Sequence, residues 1–255
     1  MKVTILGCGG AAGVPGISAG WGACDPDNPR NRRRRASILV EQDGTTILVD
    51  TSPDLRSQLL DCGVRRLDAV IYTHDHADHL HGIDDLREIN RVTKDWLPVW
   101  GAAEMLETAR ARFPYAFESA ESLGDMIFRP FLDAHEITGP FTVGSIAVQP
   151  FDQDHGFMRT LGFRFGPLAY STDVIEMPEE SFGILAGVDT WIIGCLVDYP
   201  HVTHAHVDKA LEWIHRIKPR RAILTHLGSR LDYAALQARL PSHVEPAYDG
   251  LVIEV

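Results

Sequence analysis

The stretch His74-Asp75-His76-Ala77-Asp78-His79 decides how this chain is read. Three imidazoles and the Asp78 carboxylate fall directly after the apolar run from Leu67 to Thr73. A strand that stops and turns there brings His74, His76, Asp78 and His79 together. That donor set suits a borderline-soft divalent metal, zinc first, with manganese or iron behind it. Asp78 can serve a second ion while His74 and His76 serve the first. A pair of ions clamps and activates water in phosphate-ester hydrolysis. The competing reading is a polar loop that happens to be rich in histidine, and so dense a cluster rarely arises without a metal.

One loop does not complete two metal shells, so further ligands are expected at other strand ends. His155 follows the apolar run that ends near Pro150, Asp173 follows Leu168 to Thr172, and His226 follows Ala222 to Thr225. Each stands just past a short apolar strand, as His74 does. Asp50, at the end of Ile47-Leu48-Val49, is placed to orient a ligand histidine from behind by accepting a ring N–H.

The 255 residues, 45% of them hydrophobic, suffice for one large core. We read residues 1–255 as one domain with a partly helical insertion around 83–140. A net charge of −11 argues against a general polyanion-binding surface. Cys8, Cys24, Cys62 and Cys195 are scattered, which disfavours a disulfide scaffold and fits a reducing cytosol, hence a cytoplasmic location. The opening residues are broken by Gly7 too early for a signal peptide, and no apolar run reaches the length of a membrane span.

Strands are expected at Val3–Leu6, at Ala36–Glu41 and Thr46–Asp50 joined through Asp43-Gly44, and at Ala69–Tyr72. Leu55–Cys62 reads as a helix stopped by Gly63. From Ile83 to about Phe117 the pattern is more helical, broken by Pro98 and Pro114. Ser145–Pro150, Gly162–Phe165, Leu168–Ser171, Val188–Leu196, Ala222–Thr225 and Leu251–Val255 read as strands, and His206–Ile217 and Leu231–Leu240 as helices. No internal repeat is visible. Strand-rich halves interrupted by helices imply two sheets with helices outside.

Taken in order, Asp50, then His74, His76, Asp78 and His79, then His155, Asp173 and His226, the chain resembles the metallo-β-lactamase superfamily over essentially its whole length. The resemblance implies an α/β (α+β) four-layer αββα sandwich with two divalent metals at one edge between the sheets. It implies that His74, His76 and His155 hold one ion and Asp78, His79 and His226 the other. Asp173 would bridge them, with Asp78 or Asp173 holding the attacking water. An aspartate bridge and a last-position histidine, with no cysteine ligand, point to the phosphodiesterase and thioester hydrolase branches rather than the lactam-cleaving one. The Gly7–Pro15 loop, the Asn31–Arg35 run and Tyr248-Asp249-Gly250 look like the cyclic phosphodiesterases of the carbon–phosphorus lyase pathway. Those enzymes open phosphoribosyl 1,2-cyclic phosphate, and the tRNA 3′-processing endonucleases are more distant cousins.

In that branch a histidine lies just before the helix that precedes the last ligand strand. His204 takes that place, to contact the scissile phosphate or protonate the leaving oxygen. His201 and His206 are weaker candidates, and His81 and His135 read as surface or supporting residues. Many relatives carry clustered cysteines after the first loop and a histidine after the last ligand, forming a structural zinc site. Here Cys24 stands alone and Leu227-Gly228-Ser229-Arg230 holds no histidine, so no structural zinc is expected.

Arg30 and Arg32 to Arg35 put five arginines in six residues. Without interleaved aromatics they read as local salt bridging plus one substrate-phosphate contact, and a nucleic-acid grip ranks lower. Arg87 is a candidate phosphate fork, with an ion pair to Asp84 or another carboxylate as the alternative. The rings of Trp96, Trp100, Phe113, Tyr115, Phe117 and Phe128 offer a lid or ordinary core packing. The expected substrate is a small phosphodiester, a cyclic phosphate of a ribose or nucleotide, with no membrane partner and a homodimer left open. Thioester or lactone hydrolysis of the glyoxalase type is the second reading. A non-catalytic receptor built on the metal site is the third.

Overall fold

The computed structural model describes residues 1–119 and 127–255. Among them the strands form two sheets of seven. The first runs β14 (Val252–Glu254), β1 (Lys2–Gly7), β2 (Ser37–Gln42), β3 (Thr45–Val49), β4 (Ala69–Ile71), β5 (Leu97–Gly101), β6 (Leu132–Glu136). The second runs β13 (Val244–Pro246), β12 (Arg221–Thr225), β11 (Thr190–Gly194), β10 (Leu168–Ser171), β9 (Arg159–Phe165), β8 (Ile146–Asp154), β7 (Phe141–Val143). In the first sheet β14, β1, β2 and β3 pair antiparallel and β3 to β6 parallel. In the second, β7 to β10 pair antiparallel and β10 to β13 parallel. The two sheets thus repeat one pairing pattern, although no repeat is legible in the residues.

Period-two alternation explains the layering. Val3, Ile5, Ile38, Val40, Ile47, Val49 and Ile71 point inward and meet Val148, Phe163, Phe165, Tyr170, Ile192 and Ile223 of the other sheet. The opposite face of the first sheet (Leu39, Leu48, Val70, Val99) is covered by α1 (Leu55–Asp61), α2 (Ala77–Leu80), α3 (Leu86–Thr93) and α4 (Ala103–Arg112). The outer face of the second (Ala169, Trp191, Ile193, Leu224) is covered by α6 (Glu179–Leu185), α7 (Val207–Ile217) and α8 (Tyr233–Arg239), a short α5 (Pro114–Phe117) having followed α4. This is the αββα sandwich expected. No helix of the described residues is long and apolar enough to cross a membrane.

The helical reading of Ile83–Phe117 needs correction, because β5 lies inside it. Leu97, Val99 and Gly101 alternate into the core. Pro98 is tolerated because pairing with β4 begins only at Val99. The proposed insertion around 83–140 therefore supplies α3, β5, α4, α5 and β6, two of them strands of the main sheet; its residues 120–126 lie outside the described part.

The Gly7–Pro15 loop, the Asn31–Arg35 run and Tyr248-Asp249-Gly250 lock onto one another. Gly9 N–H donates to the Arg34 carbonyl (2.8 Å), and Val14 and Arg33 exchange backbone bonds. The Asp249 carboxylate accepts from Cys8 N–H (3.1 Å) and from Arg34 N–H (2.8 Å) and Nε (3.1 Å). Gly10 is needed for close approach, since a Cβ there would lie 2.7 Å from Leu196 Cδ1 and 3.4 Å from the His226 ring. Arg34 also pairs with Asp61, Arg35 with Asp54, and Arg30 lies over the Tyr233 and Tyr248 rings.

Arg33 is only 2% exposed. Its guanidinium donates to the carbonyls of Gly228 (3.1 Å) and Leu231 (2.7 Å) and to Asn31 Oδ1, and lies 3.9 Å from Cys24 Sγ. A buried cation thus ties the first loop to the segment after His226. Arg33→Met would leave the Leu231 carbonyl unpaired, Gly228 keeping the Leu231 N–H (3.2 Å), and lower stability by about 1–3 kcal/mol. Urea unfolding checks this, and a loss below about 1 kcal/mol would mean the carbonyl finds another partner.

Candidate functional site

The donors stand where strands end. β1, β3, β4, β8, β10, β11 and β12 run in the same sense within their sheets, and open α/β sheets hold ligands beyond the carboxyl ends of such strands. Asp50 follows β3, the 74–79 cluster follows β4, His155 follows β8, Asp173 follows β10 and His226 follows β12. Asp50, Asp173 and His226 have φ of 64°, 46° and 58°, half of the left-handed non-glycine positions in the described residues. Backbone strain gathered in this way marks a functional site.

The polar atoms converge. His74, His76, His155 and Asp173 form one group whose donor atoms lie within 4.8 Å of one another; Asp78, His79 and His226 form a second; Asp173, His204 and His226 form a third. Asp173 Oδ2 lies 3.7 Å from His74 Nε2, 3.5 Å from His155 Nε2 and 3.1 Å from His204 Nε2. Its Oδ1 lies 3.2 Å from both His79 Nε2 and His226 Nε2. His226 Nε2 is 3.6 Å and His79 Nε2 3.3 Å from Asp78 Oδ2.

The supporting bonds fix ring orientation. Thr73 Oγ1 donates to Asp50 Oδ2 (2.8 Å), so it accepts from His74 Nδ1 (2.9 Å). His79 Nδ1 donates to Asp50 Oδ2 (2.7 Å) and His155 Nδ1 to the Thr203 carbonyl (2.7 Å). All three rings therefore turn Nε2 inward. Buried His74 Nε2, His79 Nε2, His226 Nε2 and Asp78 Oδ2 have no hydrogen-bond partner. Unpartnered buried polar atoms crowded together are unfavourable alone and suited to a bound ion.

Electrostatics agree. Burial opposes the charge on Asp173, but His226, His79 and His204 hold its pKa well below the usual range. The same opposition, outweighed by His79 and His226, leaves Asp78 ionised. Burial also opposes a charge on His79, yet Asp173, Asp78 and Asp50 push its pKa well above the ordinary value. Burial with neighbouring histidines drives His74 well down. Burial takes His155 to about 4, the Asp173 carboxylate pulling the other way and His204 adding to the fall. Carboxylates held ionised in the midst of these imidazoles favour a divalent cation.

Asp50 is fully buried and accepts three bonds, from Thr73 N–H (2.8 Å), Thr73 Oγ1 and His79 Nδ1. Asp50→Asn exchanges one acceptor for a donor facing His79. Metal affinity should fall by about 10–100-fold, measured by competition with a chromogenic chelator. Unchanged affinity would mean that Asp50 serves only the fold.

His204 stands beside the cluster. Its ring stacks on His226 (centroids 5.0 Å apart), Nδ1 meets Thr203 Oγ1 at 2.8 Å, and burial lowers its pKa while the bond to Asp173 raises it. His201 contacts Thr203, whereas His206 precedes α7 with a buried unpaired Nδ1. His81 packs on Phe113, and His135 stacks on Trp100 and pairs with Asp133.

Arg87 lies on an exposed face of α3, 3.5 Å from Glu88, and is not among the residues lining the cluster's cavity. Of the proposed lid rings, Trp96 packs on Phe131, Trp100 on Phe141, Phe113 on Tyr115, and Phe117 beneath Arg110. The cavity of about 350 Å³ is instead lined by Ala11, Ala12, Phe157, Met158, Leu196 and Thr203 beside the donors. Phe157 and Thr203 escaped sequence reading, since their roles depend on the β8–β9 turn and on one backbone carbonyl. Among the described residues no metal-competent group includes a cysteine.

A family profile described as a β-lactamase superfamily domain matches residues 45–227. An octanoyltransferase of Porphyromonas gingivalis is 33% identical over 98% of this chain but 51% of its own length. A ribonuclease Z of Bradyrhizobium is 28% identical over 54% of this chain and 46% of its own. The chain thus spans about half the length of these relatives. The crystal structure of a diphosphatase from the PhnP family superposes with a TM-score of 0.91 at 31% identity, covering 100% of this chain and 97% of that one. Zinc-bound PqqB of Methylobacterium extorquens shares the fold, with a TM-score of 0.79 at 20% identity and full coverage of both. With the ordered donors, the two-sheet sandwich and these matches on the page, the chain belongs to the metallo-β-lactamase superfamily.

Proposed function

We propose that this protein is a dinuclear-metal phosphodiesterase acting on a small phosphodiester, a cyclic phosphate of a ribose or nucleotide. The observation that carries the reading is the split of Asp173. One oxygen faces His74, His155 and His204, and the other faces His79 and His226. In this reading His74, His76 and His155 hold one ion, Asp78, His79 and His226 the other, and Asp173 both. Zinc or manganese there, with iron as a third candidate, would supply Lewis acidity for the phosphoryl oxygens and a lowered pKa for the attacking water.

The chain's own residues do the rest. Asp78 and Asp173 orient the water by accepting its hydrogens. The Thr203 hydroxyl donates to His204 Nδ1, leaving Nε2 to carry the hydrogen toward the leaving oxygen. The likeness to a PhnP-family diphosphatase and to ribonuclease Z supports phosphoester chemistry. A second reading, thioester hydrolysis, draws support from the relative named octanoyltransferase.

The test is turnover by metal-stripped protein refilled with manganese or zinc. The substrates are a 2′,3′-cyclic nucleotide, an activated linear phosphodiester, an octanoyl thioester and a lactam. Metal-dependent cleavage of the phosphodiesters alone is expected. Cleavage of the thioester alone would replace the first reading with the second.

A further inference from the structure

Of the eight large hydrophobic residues exposed among the described residues, Phe157 is the one that lines the cavity of the donor cluster. Phe157 lines it together with His76, Asp78, Asp173 and His204, yet 89% of it meets solvent. Its mount is firm. His155 N–H donates to the Met158 carbonyl (2.9 Å), closing the turn, and Gly156 N–H donates to Asp154 Oδ1 (2.6 Å). Gly156 has φ of 85°, and a Cβ there would lie 2.8 Å from the Val202 carbonyl oxygen. The turn therefore rests on the loop that carries His204. The held turn thus presents a solvent-facing ring beside the polar donor cluster.

We propose that Phe157 is a stacking platform for the nucleobase of the substrate, which makes the substrate a nucleotide rather than a bare ribose phosphate. The inference rests on the phosphodiesterase reading and narrows its substrate class. A flat, open aromatic face suits a flat aromatic partner, and every base presents one. An octanoyl chain would need an enclosed apolar channel, whereas here the apolar groups stand around an open mouth above buried carboxylates and imidazoles.

The experiment is calorimetric binding to the metal-loaded protein, with AMP, ribose 5-phosphate and S-octanoyl pantetheine as probes. AMP should bind about tenfold tighter than ribose 5-phosphate, within the range of base–aromatic stacking. Phe157→Ala should bring AMP down to the ribose 5-phosphate level, and Phe157→Trp should preserve or strengthen the preference. The ring is exposed, so its removal leaves the core intact, and a circular dichroism melt checks that. Equal binding of AMP and ribose 5-phosphate by the unaltered protein would overturn the proposal. So would a loss in Phe157→Ala confined to the octanoyl probe, or dissociation of a dimer on that substitution. If the AMP preference vanishes with Phe157 but no phosphodiester is cleaved, the platform stands and the reaction assignment fails.

Discussion

Asp173→Asn should lower kcat/KM for a cyclic phosphodiester by about a thousandfold or more, and the purified variant should retain less metal. The carboxylate lies 3.1–3.7 Å from five imidazoles, those of His74, His79, His155, His204 and His226. Asparagine keeps the volume and accepts the left-handed backbone that φ of 46° demands, so the change removes charge and little else. The amide can present one oxygen to one group of donors but turns an NH2 to the other. Metal analysis by plasma mass spectrometry with steady-state turnover checks both parts. Full metal content with activity within tenfold of the parent would show that Asp173 does not join the two donor groups.

His204→Ala should reduce kcat on phosphodiesters by about 10²–10⁴-fold with metal content unchanged. His204 sits 3.1 Å from Asp173 Oδ2 and beside the His226 ring, inside the cavity but outside the two principal donor groups. An alkoxide leaving a phosphodiester needs a proton, and a thiolate leaving a thioester hardly does. The same variant therefore separates the two reactions. A large loss on the cyclic phosphate with little change on the octanoyl thioester fits the first reading, and the reverse pattern sinks it. Activated esters with acidic leaving groups should be cleaved by His204→Ala nearly as well as by the parent, because they leave without a proton.

The donors were legible because each is a polar residue set just past an apolar strand, a pattern that survives in one dimension. Asp50, His155, Asp173 and His226 drew their weight from that placement taken together with the 74–79 cluster and the order they share with the superfamily. The sheet edges were less legible. β6 has only Leu132 fully in the core and pairs with β5 alone, so it carries no alternation to read. β5 was masked by Pro98, which normally argues against a strand. The arginine run misled in part, since charge implies solvent. Arg34 and Arg35 do pair with carboxylates, while Arg33 is buried among carbonyls from a segment nearly 200 positions away, at separations of 195 and 198. No local signal marks such a partner. Phe157 was passed over for the same reason, as a lone aromatic beside a glycine says nothing of the cavity it lines.

The left-handed strand ends at Asp50, Asp173 and His226 carry a consequence for laboratory evolution. At such backbone angles a side chain with a Cβ is disfavoured by about 1 kcal/mol relative to glycine. Burial of ionised or neutral donors without their cation adds to the penalty. Libraries screened for thermal tolerance of the metal-free chain should therefore enrich substitutions at Asp173 and His226, and inactive clones with them, while Asp50 stays fixed by the three buried hydrogen bonds it accepts. Screens that score turnover after a heat step would hold all three fixed and find their gains elsewhere, in the two outer helical layers.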